Sequence, residues 1–383
     1  MFNQKDDMLC TQKYLLSGKT CDDLSNEFCI KTNFHPDLPL VILNYDQINS
    51  PKKHPIVREC RGLVLNSSDW SLVARSFPRF FNWGEVPEEM DFFDFDDFVV
   101  QSKEDGSLVI IYFFNNEWHV NTKGSFATDM MQNQSFTWRQ AVCKGLGISD
   151  LKDLNSILDP KLTYICEFVS PWNKVVRYYK NPQVYLLTAF EEHKEIALEN
   201  IDVSRIKVFQ NLDIFEFRSI QQIQKFLEEK SVKDKTFEGF VICDKNKNRW
   251  KIKNPSYLSL HKIKGEGDNL FHPKYLLPFV LKNEADELFT YFEEVKDQYF
   301  SIKNQVDNFY EQTLKVWQEN KNIESQKEFA LSIQQEDFKS VLFDVRKKYG
   351  QNQTEKNLRE EFLAHPDLIL KKLKSKQSVF QES

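Results

Sequence analysis

Short apolar runs typical of β-strands carry charged residues throughout the first two thirds of this 383-residue chain. The clearest case is the segment Lys103–Ser107 (KEDGS), which lies between the apolar runs 98–100 and 108–113. Burying a charge without a partner is costly, so charges at such positions need an ion-pair partner or a ligand. The pattern therefore predicts a β-rich body that carries a polar site.

The chain changes character near residue 265. Before this point, strand-like runs are separated by turn signals such as Asn115-Asn116. From about Pro273 the strand signals stop and apolar residues recur at helical spacing. The sequence therefore predicts a β-rich α+β domain over residues 1–264 and an all-helical C-terminal domain over residues 265–383.

Individual elements follow from the same patterns. Ser219 is a candidate N-cap for a helix that carries apolar residues at helical spacing. A second helix is expected at 128–145. Strands are expected at 40–45, 162–169, 184–190, 237–243 and 249–253, with three more between 97 and 125.

Composition excludes several classes of protein. The net charge of −6 does not favour binding to nucleic acid through bulk charge, although local basic patches still bind phosphate. Seven cysteines without a CxxC pair indicate neither a disulfide framework nor a zinc site. The first residues show no signal-peptide pattern, and no apolar run approaches the roughly 18 residues of a membrane helix. We therefore expect a protein of the reducing cytoplasm, without membrane contact.

The charged residues of the strand-like runs predict a phosphate site. Lys251 and Lys253 are two residues apart on a strand, so both side chains point to one face and suit an anionic ligand. Glu167 and Glu238 supply carboxylates for a hard cation such as Mg²⁺. The chain has neither GxxxxGK[ST] nor GxGxxG, which excludes a P-loop and a Rossmann site. Lys103 would then be a nucleophile, with a pKa that nearby cations lower.

The segment Lys103–Ser107 resembles motif I (KxDG) of the covalent nucleotidyltransferases, which include DNA ligases, RNA ligases and capping enzymes. Glu167 resembles motif III, Glu238–Ile242 motif IV and Lys251–Lys253 motif V, and all four occur in the order of that superfamily. The finer match is to the bacteriophage RNA ligase 1 family. Its blocks resemble the segments 59–62, 79–82, 103–109, 123–125, 167–171, 251–253 and 257–261.

The resemblance implies a role for each matching residue. Lys103 would be adenylylated through a phosphoramidate, and Lys251 and Lys253 would hold the α phosphate. Arg61 and Arg79 would reach the β and γ phosphates, although one relative carries lysine where this chain has Arg79. The remaining nucleotide-binding positions would be Tyr45, Phe81, Glu104, Gly106 and Lys123.

Further positions would complete the chemistry. Glu167 and Glu238 would bind the metal, its water shell or the ribose, and Gly106 would let the backbone approach the nucleotide. Tyr257 matches a position essential for ligation and is predicted as catalytic. Asp286 and Glu287 resemble an acidic pair that binds a structural metal in a relative.

By this resemblance the fold class is α+β, with a nucleotidyltransferase (ATP-grasp-like ligase) core of antiparallel sheets flanked by helices. The implied function is an ATP-dependent RNA ligase that uses Mg²⁺, or Mn²⁺ in its place. It would act as a monomer on RNA 5′-phosphate and 3′-hydroxyl ends, with nicked tRNA as one candidate. Two alternatives stay open, a DNA ligase or capping guanylyltransferase, and a non-catalytic nucleotide- or RNA-binding relative.

Overall fold

The computed structural model of the protein describes residues 8–131, 134–196, 201, 207–265, 270–282 and 285–380. The chain forms two compact units, Met1–Leu258 and Ser259–Ser383. The helix Pro255–Lys264 crosses the boundary between them. Among the described residues, no helix combines the length and apolar character needed to span a membrane.

The described strands all lie in the first unit. They are β1 Ile30–Phe34, β2 Leu40–Tyr45, β3 Arg61–Asn66, β4 Leu72–Ala74, β5 Phe81–Asn82, β6 Phe98–Ser102, β7 Ser107–Phe114, β8 Glu117–Thr122, β9 Leu162–Val169, β10 Gln183–Glu191, β11 Lys194–Ile196, β12 Ile214–Phe215, β13 Gly239–Asp244 and β14 Arg249–Lys253.

The described helices are α1 Cys10–Leu16, α2 Cys21–Phe28, α3 Pro55–Glu59, α4 Pro87–Met90, α5 Trp138–Leu146, α6 Ile220–Lys233, α7 Pro255–Lys264, α8 Pro273–Lys282, α9 Asp286–Tyr291, α10 Lys296–Asn320, α11 Gln326–Ser332, α12 Lys339–Tyr349, α13 Glu355–Leu363 and α14 Pro366–Phe380. Short 3₁₀ turns occur at Leu151–Ser156, Glu293–Val295 and Gly350–Asn352. In the described part of the second unit there are helices and no strands, as the periodicity predicts.

Three sheets build the first unit. Their strand orders are β1-β2-β3-β4, β11-β10-β9-β7-β8 and β12-β6-β13-β14-β5. The pairs are antiparallel, which confirms the α+β prediction, except that the two-residue strand β5 runs parallel to β14. The sequence did not predict this pair, because β5 lies in a segment that reads as a basic and aromatic loop.

Local patterns located most strands well. The structure confirms the predicted strand bounds at Leu40–Tyr45 and Leu162–Val169. The helix predicted at 128–145 is wrong in its first half, because α5 begins only at Trp138. Thr137 is its N-cap and accepts a hydrogen bond from the Gln140 backbone N–H, which competes with helical continuation before it.

The third sheet positions the functional site because its two faces differ. One face packs apolar side chains of β6 and β13, such as Val100 and Phe240, against Ile223 and Leu227 of α6. Ser219 caps this helix as predicted, since its side chain accepts a hydrogen bond from the Gln222 backbone N–H. The opposite face carries the charged residues that sequence patterns singled out.

Candidate active site

The strand register of the third sheet places the charged residues in rows. Val241 of β13 lies between Gln101 of β6 and Lys251 of β14. One step along the same face, Gly239 pairs with Lys253, and its carbonyl accepts a hydrogen bond from the Lys103 backbone N–H at 2.9 Å. Residues two apart on a strand share a face, so residues far apart in the sequence meet here.

A cavity of about 520 Å³ lies on this face, and we call it the central cavity. Its lining has two carboxylates, Glu104 and Glu167. It also has six cationic side chains, which are Arg61, Lys103, Lys123, Arg249, Lys251 and Lys253. Such an excess of positive charge within low-dielectric walls favours an anionic ligand.

Glu238 holds two of these lysines. Its side chain is only 4% exposed and accepts a hydrogen bond from Lys103 Nζ at 2.8 Å on Oε2. Lys253 Nζ lies 3.0 Å from Oε1 of the same carboxylate. Burial opposes ionisation of Glu238, but the ammonium groups of Lys103 and Lys253 outweigh it, so the pKa of Glu238 is lowered.

The pKa of Lys103 differs in direction from the expectation. Burial disfavours its charged form, but Glu238 and Glu167 outweigh burial, so the pKa of Lys103 is raised. The lowered pKa instead belongs to Lys251, through burial first and then through the charges of Arg61, Lys103 and Lys253. The carboxylate in direct contact with Lys103 outweighs cations that lie further away.

Glu167 is one of the two carboxylates that line the central cavity. Burial raises its pKa to about 7, although Lys103 and Arg61 favour the charged form. The described residues contain no group of three or more acidic, histidine or cysteine side chains that could hold a metal ion. Mg²⁺ is usually bound by one or two carboxylates together with substrate phosphates. Both carboxylate oxygens of Glu238 are already engaged by Lys103 and Lys253, so Glu167 is the carboxylate that fits this arrangement.

An aromatic platform supports the cations of the cavity. The Arg61 guanidinium lies 4.5 Å from the centroid of the Phe77 ring, and Lys251 Nζ lies 4.5 Å from that of Phe80. The Arg249 guanidinium lies 5.1 Å from Phe77. These contacts stabilise cations electrostatically and fix their positions. Sequence reasoning did not assign Phe77, Phe80 or Arg249 to the site, although the aromatic and basic composition of segment 75–83 was a usable signal.

Arg79, Tyr45 and Phe81 lie together but are not among the residues that line the central cavity. The buried Arg79 guanidinium lies 4.2 Å from the Tyr45 ring and 6.0 Å from the Phe81 ring. Lys123 lines the cavity and contacts the Tyr45 ring at 5.0 Å, which connects this group to the site. Among the described residues, the buried Nη1 atoms of Arg61 and Arg79 have no hydrogen-bond partner.

Asp105 of the KEDGS segment is a structural anchor. It is buried, and its Oδ2 accepts hydrogen bonds from the backbone N–H groups of Val176 and Arg177, both at 2.7 Å. Its Oδ1 accepts one from the Tyr257 hydroxyl at 2.7 Å. Tyr257 is fully buried and does not line the central cavity. The predicted catalytic tyrosine therefore lies where it positions the segment that carries Lys103.

The other residues of the KEDGS segment are also held by neighbours. The Tyr179 hydroxyl donates to Glu104 Oε2 at 2.7 Å and accepts a hydrogen bond from the Asp105 backbone N–H. A Cβ atom on Gly106 would lie 2.3 Å from the Phe168 carbonyl oxygen of β9. Glycine is therefore needed here so that the segment packs against that strand.

The acidic pair Asp286 and Glu287 begins helix α9 in the second unit. Their side chains are outside the described part of the structure, so their predicted role in metal binding stays a prediction.

A family model described as RNA ligase matches residues 59–264, which contain every motif discussed above except the acidic pair and Tyr45. The chain belongs to the RNA ligase family. The chain is 30% identical over 313 residues to a protein of Autographa californica nuclear polyhedrosis virus that is described as a bifunctional polynucleotide kinase/RNA ligase. That match covers 77% of this chain but 44% of the viral protein.

A match to another relative of this RNA ligase family member covers a larger share of the relative's own length than the 44% of the viral protein. An RNA ligase of Rhodothermus phage RM378 is 24% identical over 354 residues, which cover 74% of this chain and 80% of the phage protein. Among solved structures, an archaeal ATP-dependent RNA ligase matches 95% of this chain and 81% of its own, with a TM-score of 0.43 and 13% identity. An ATP-dependent DNA ligase from Aquifex aeolicus matches 78% and 80%, with a TM-score of 0.46. These structural scores are too low to bear on function.

Proposed function

We propose that this chain is an ATP-dependent RNA ligase that acts through a lysyl-AMP intermediate on Lys103. The observation that carries the proposal is the central cavity, whose lining brings the Lys103 ammonium together with five other cationic side chains from three sheets. In the first step Lys103 Nζ bonds to the α phosphorus of ATP, and the bond to the departing pyrophosphate breaks. In the second step AMP passes from Lys103 to an RNA 5′-phosphate. In the third step an RNA 3′-hydroxyl attacks that phosphate, and AMP leaves.

The protein contributes mainly positioning and charge neutralisation, as expected for phosphoryl transfer. Lys251 and Arg61, which have no ion-pair partner among the described residues, are available to a phosphate. Lys103 must lose a proton before it attacks, and Glu238 contacts the atom that carries it. A divalent cation at Glu167 would offset the carboxylate charge that holds this proton and would polarise the α phosphate.

The natural substrate is a proposal of its own. The family membership supports RNA ends as substrates, and we propose a repair role in which the helical second unit selects the RNA, with a nicked tRNA as one candidate. The described part of that unit is helical, unlike the five-stranded OB barrel that DNA ligases and capping enzymes use.

Labelling tests the covalent step directly. Incubation with α-labelled ATP and a divalent cation should transfer label to the protein, and Lys103→Ala should abolish this transfer. Lys161→Ala is a matched control, because Lys161 is exposed and lies outside the central cavity. Label that survives in the Lys103→Ala variant would refute the assignment of the nucleophile, and excess GTP that competes as well as ATP would refute the choice of nucleotide.

Ligation assays test the acceptor. A 5′-phosphorylated single-stranded RNA, a nicked tRNA and a nicked DNA duplex should be compared under identical conditions. We expect joining of an RNA substrate and little joining of the DNA duplex. Efficient sealing of the DNA alone would contradict the proposal.

A further inference from the structure

A second cavity of about 380 Å³ continues the central cavity, and the two share Gln101, Leu187 and Arg249 in their linings. We call it the rear cavity. The strand register shows that it extends along the same sheet face, because Val99 pairs with Cys243 and Cys243 pairs with Arg249. This row lies one step beyond the row of Gln101, Val241 and Lys251, on the side away from Lys103.

The walls of the rear cavity include apolar surface that the protein leaves uncovered. Val99 is 44% exposed and Ile214 is 66% exposed. Leu187 lies at a bulge, where the pairing of β10 with β9 shifts between Leu186 and Thr188. Bulges often re-aim a side chain beside an active site, and this one places Leu187 where the two cavities meet.

The charge at this junction is already neutralised. Arg249 donates two hydrogen bonds to the Glu195 carboxylate, which also accepts one from the Thr188 hydroxyl. Because Arg249 is paired in this way, the junction offers a planar guanidinium face, the Leu187 side chain and the Gln101 amide rather than a free cation. The charged residues of the rear cavity, Asp97, Asp244, Lys245 and Lys247, lie beyond the junction. The junction therefore suits an uncharged, apolar or aromatic group better than a phosphate.

The order of the rows fixes which part of a nucleotide could reach the rear cavity. The proposed phosphate contacts are Lys103 and Lys253, two rows away from Arg249, and Lys251 in the row between. In an adenine nucleotide, the atoms most distant from the phosphates lie on the base edge that carries the N6 amino group. A substituent on N6 would therefore extend past Gln101 into the rear cavity.

We propose that this protein accepts adenine nucleotides with an apolar substituent on N6, and that the rear cavity holds this substituent. The inference rests on the proposed use of ATP and extends it to a class of substrate. The covalent step is unchanged, since Lys103 Nζ bonds to the α phosphorus and pyrophosphate leaves with its bonding electrons.

The test compares ATP with N6-benzyl-ATP in formation of the Lys103 adduct, followed by mass spectrometry of the intact protein. We expect kcat/KM for the benzyl analogue within about tenfold of that for ATP. Val99→Trp should lower the ratio of analogue to ATP by about tenfold or more, because filling an occupied space costs about 1–3 kcal/mol. Ile214→Trp, on the neighbouring strand β12 of the same sheet, should act in the same direction if Val99→Trp fails to fold.

Val232→Trp is the matched control. Val232 is exposed on α6 and lines neither cavity, so this variant should leave both rates unchanged. An ATP analogue with a benzylamino group on C8, next to the ribose, probes direction. The rate at which this C8 analogue forms the Lys103 adduct, relative to the rate with ATP, should be the same in wild type and Val99→Trp.

Three results would count against these ideas in different ways. An adduct with ATP but none with N6-benzyl-ATP would overturn the inference. So would an adduct with both nucleotides whose ratio is the same in wild type, Val99→Trp and Ile214→Trp. Absence of an adduct with ATP itself would instead overturn the proposed function.

Discussion

The hydrogen bond from Tyr257 to Asp105 offers a test of whether this tyrosine positions the active-site segment. The Tyr257→Phe variant keeps the buried ring but removes the hydroxyl that donates to Asp105 Oδ1 at 2.7 Å. Asp105 would keep its two backbone donors on Oδ2, while Oδ1 would lose the hydroxyl donor in a buried environment. Hydrogen bonds to charged groups contribute about 1.5–3 kcal/mol, so we expect a loss of about 2 kcal/mol.

Tyr112→Phe is a closely matched control. Tyr112 is also fully buried in the first unit, but its hydroxyl has no hydrogen-bond partner among the described residues. Removing an unsatisfied buried hydroxyl costs nothing in hydrogen bonding, so this variant should be as stable as wild type or slightly more stable. The comparison therefore isolates the hydrogen bond from the general effect of losing an oxygen atom.

Native-state hydrogen exchange measures the effect within one unit. Whole-chain denaturation would combine two units, whereas the amides of β7 and β9 report on the first unit. A loss of about 2 kcal/mol should speed their exchange by about thirtyfold in Tyr257→Phe. Equal protection of these amides in Tyr257→Phe and Tyr112→Phe would refute the positioning role. A selective loss of RNA joining with unchanged protection would favour direct catalysis.

Three further perturbations follow from the site. Glu238→Gln should destabilise the first unit by about 3 kcal/mol, measured by hydrogen exchange, and should reduce labelling, because two partly buried ammonium groups lose their carboxylate. Gly106→Ala should cost about 1–3 kcal/mol, since its Cβ would lie 2.3 Å from the Phe168 carbonyl oxygen. Gly124→Ala, whose Cβ meets only Asn44 Nδ2 at 3.4 Å, should cost less in the same hydrogen-exchange measurement. Lys251→Met should lose labelling, yet its β7 and β9 amides should be better protected from hydrogen exchange than those of wild type at neutral pH. In wild type the pKa of Lys251 is lowered by folding, so the unfolded chain binds more protons than the folded chain. The stability of wild type therefore rises with pH up to about 10.4, the pKa of an unperturbed lysine. The variant should lack this dependence on pH.

The sequence by itself determined the elements and the order of the motifs. Strand patterns located Leu40–Tyr45 and Leu162–Val169, because side-chain alternation and β-branched composition are local properties. The two-residue period of a strand was also enough to place Lys251 and Lys253 on one face. The helix predicted from 128 failed at its start, since a single threonine cap decides where α5 begins.

Only the tertiary structure decided how the charges are balanced. Glu238 lies 135 residues from Lys103 in sequence, yet their contact raises the pKa of Lys103 and leaves the lowered pKa to Lys251. The same holds for Asp105, whose contact with the Tyr257 hydroxyl no sequence pattern indicated. Electrostatic effects depend on distance and burial, and both are set by residues that the sequence places far apart.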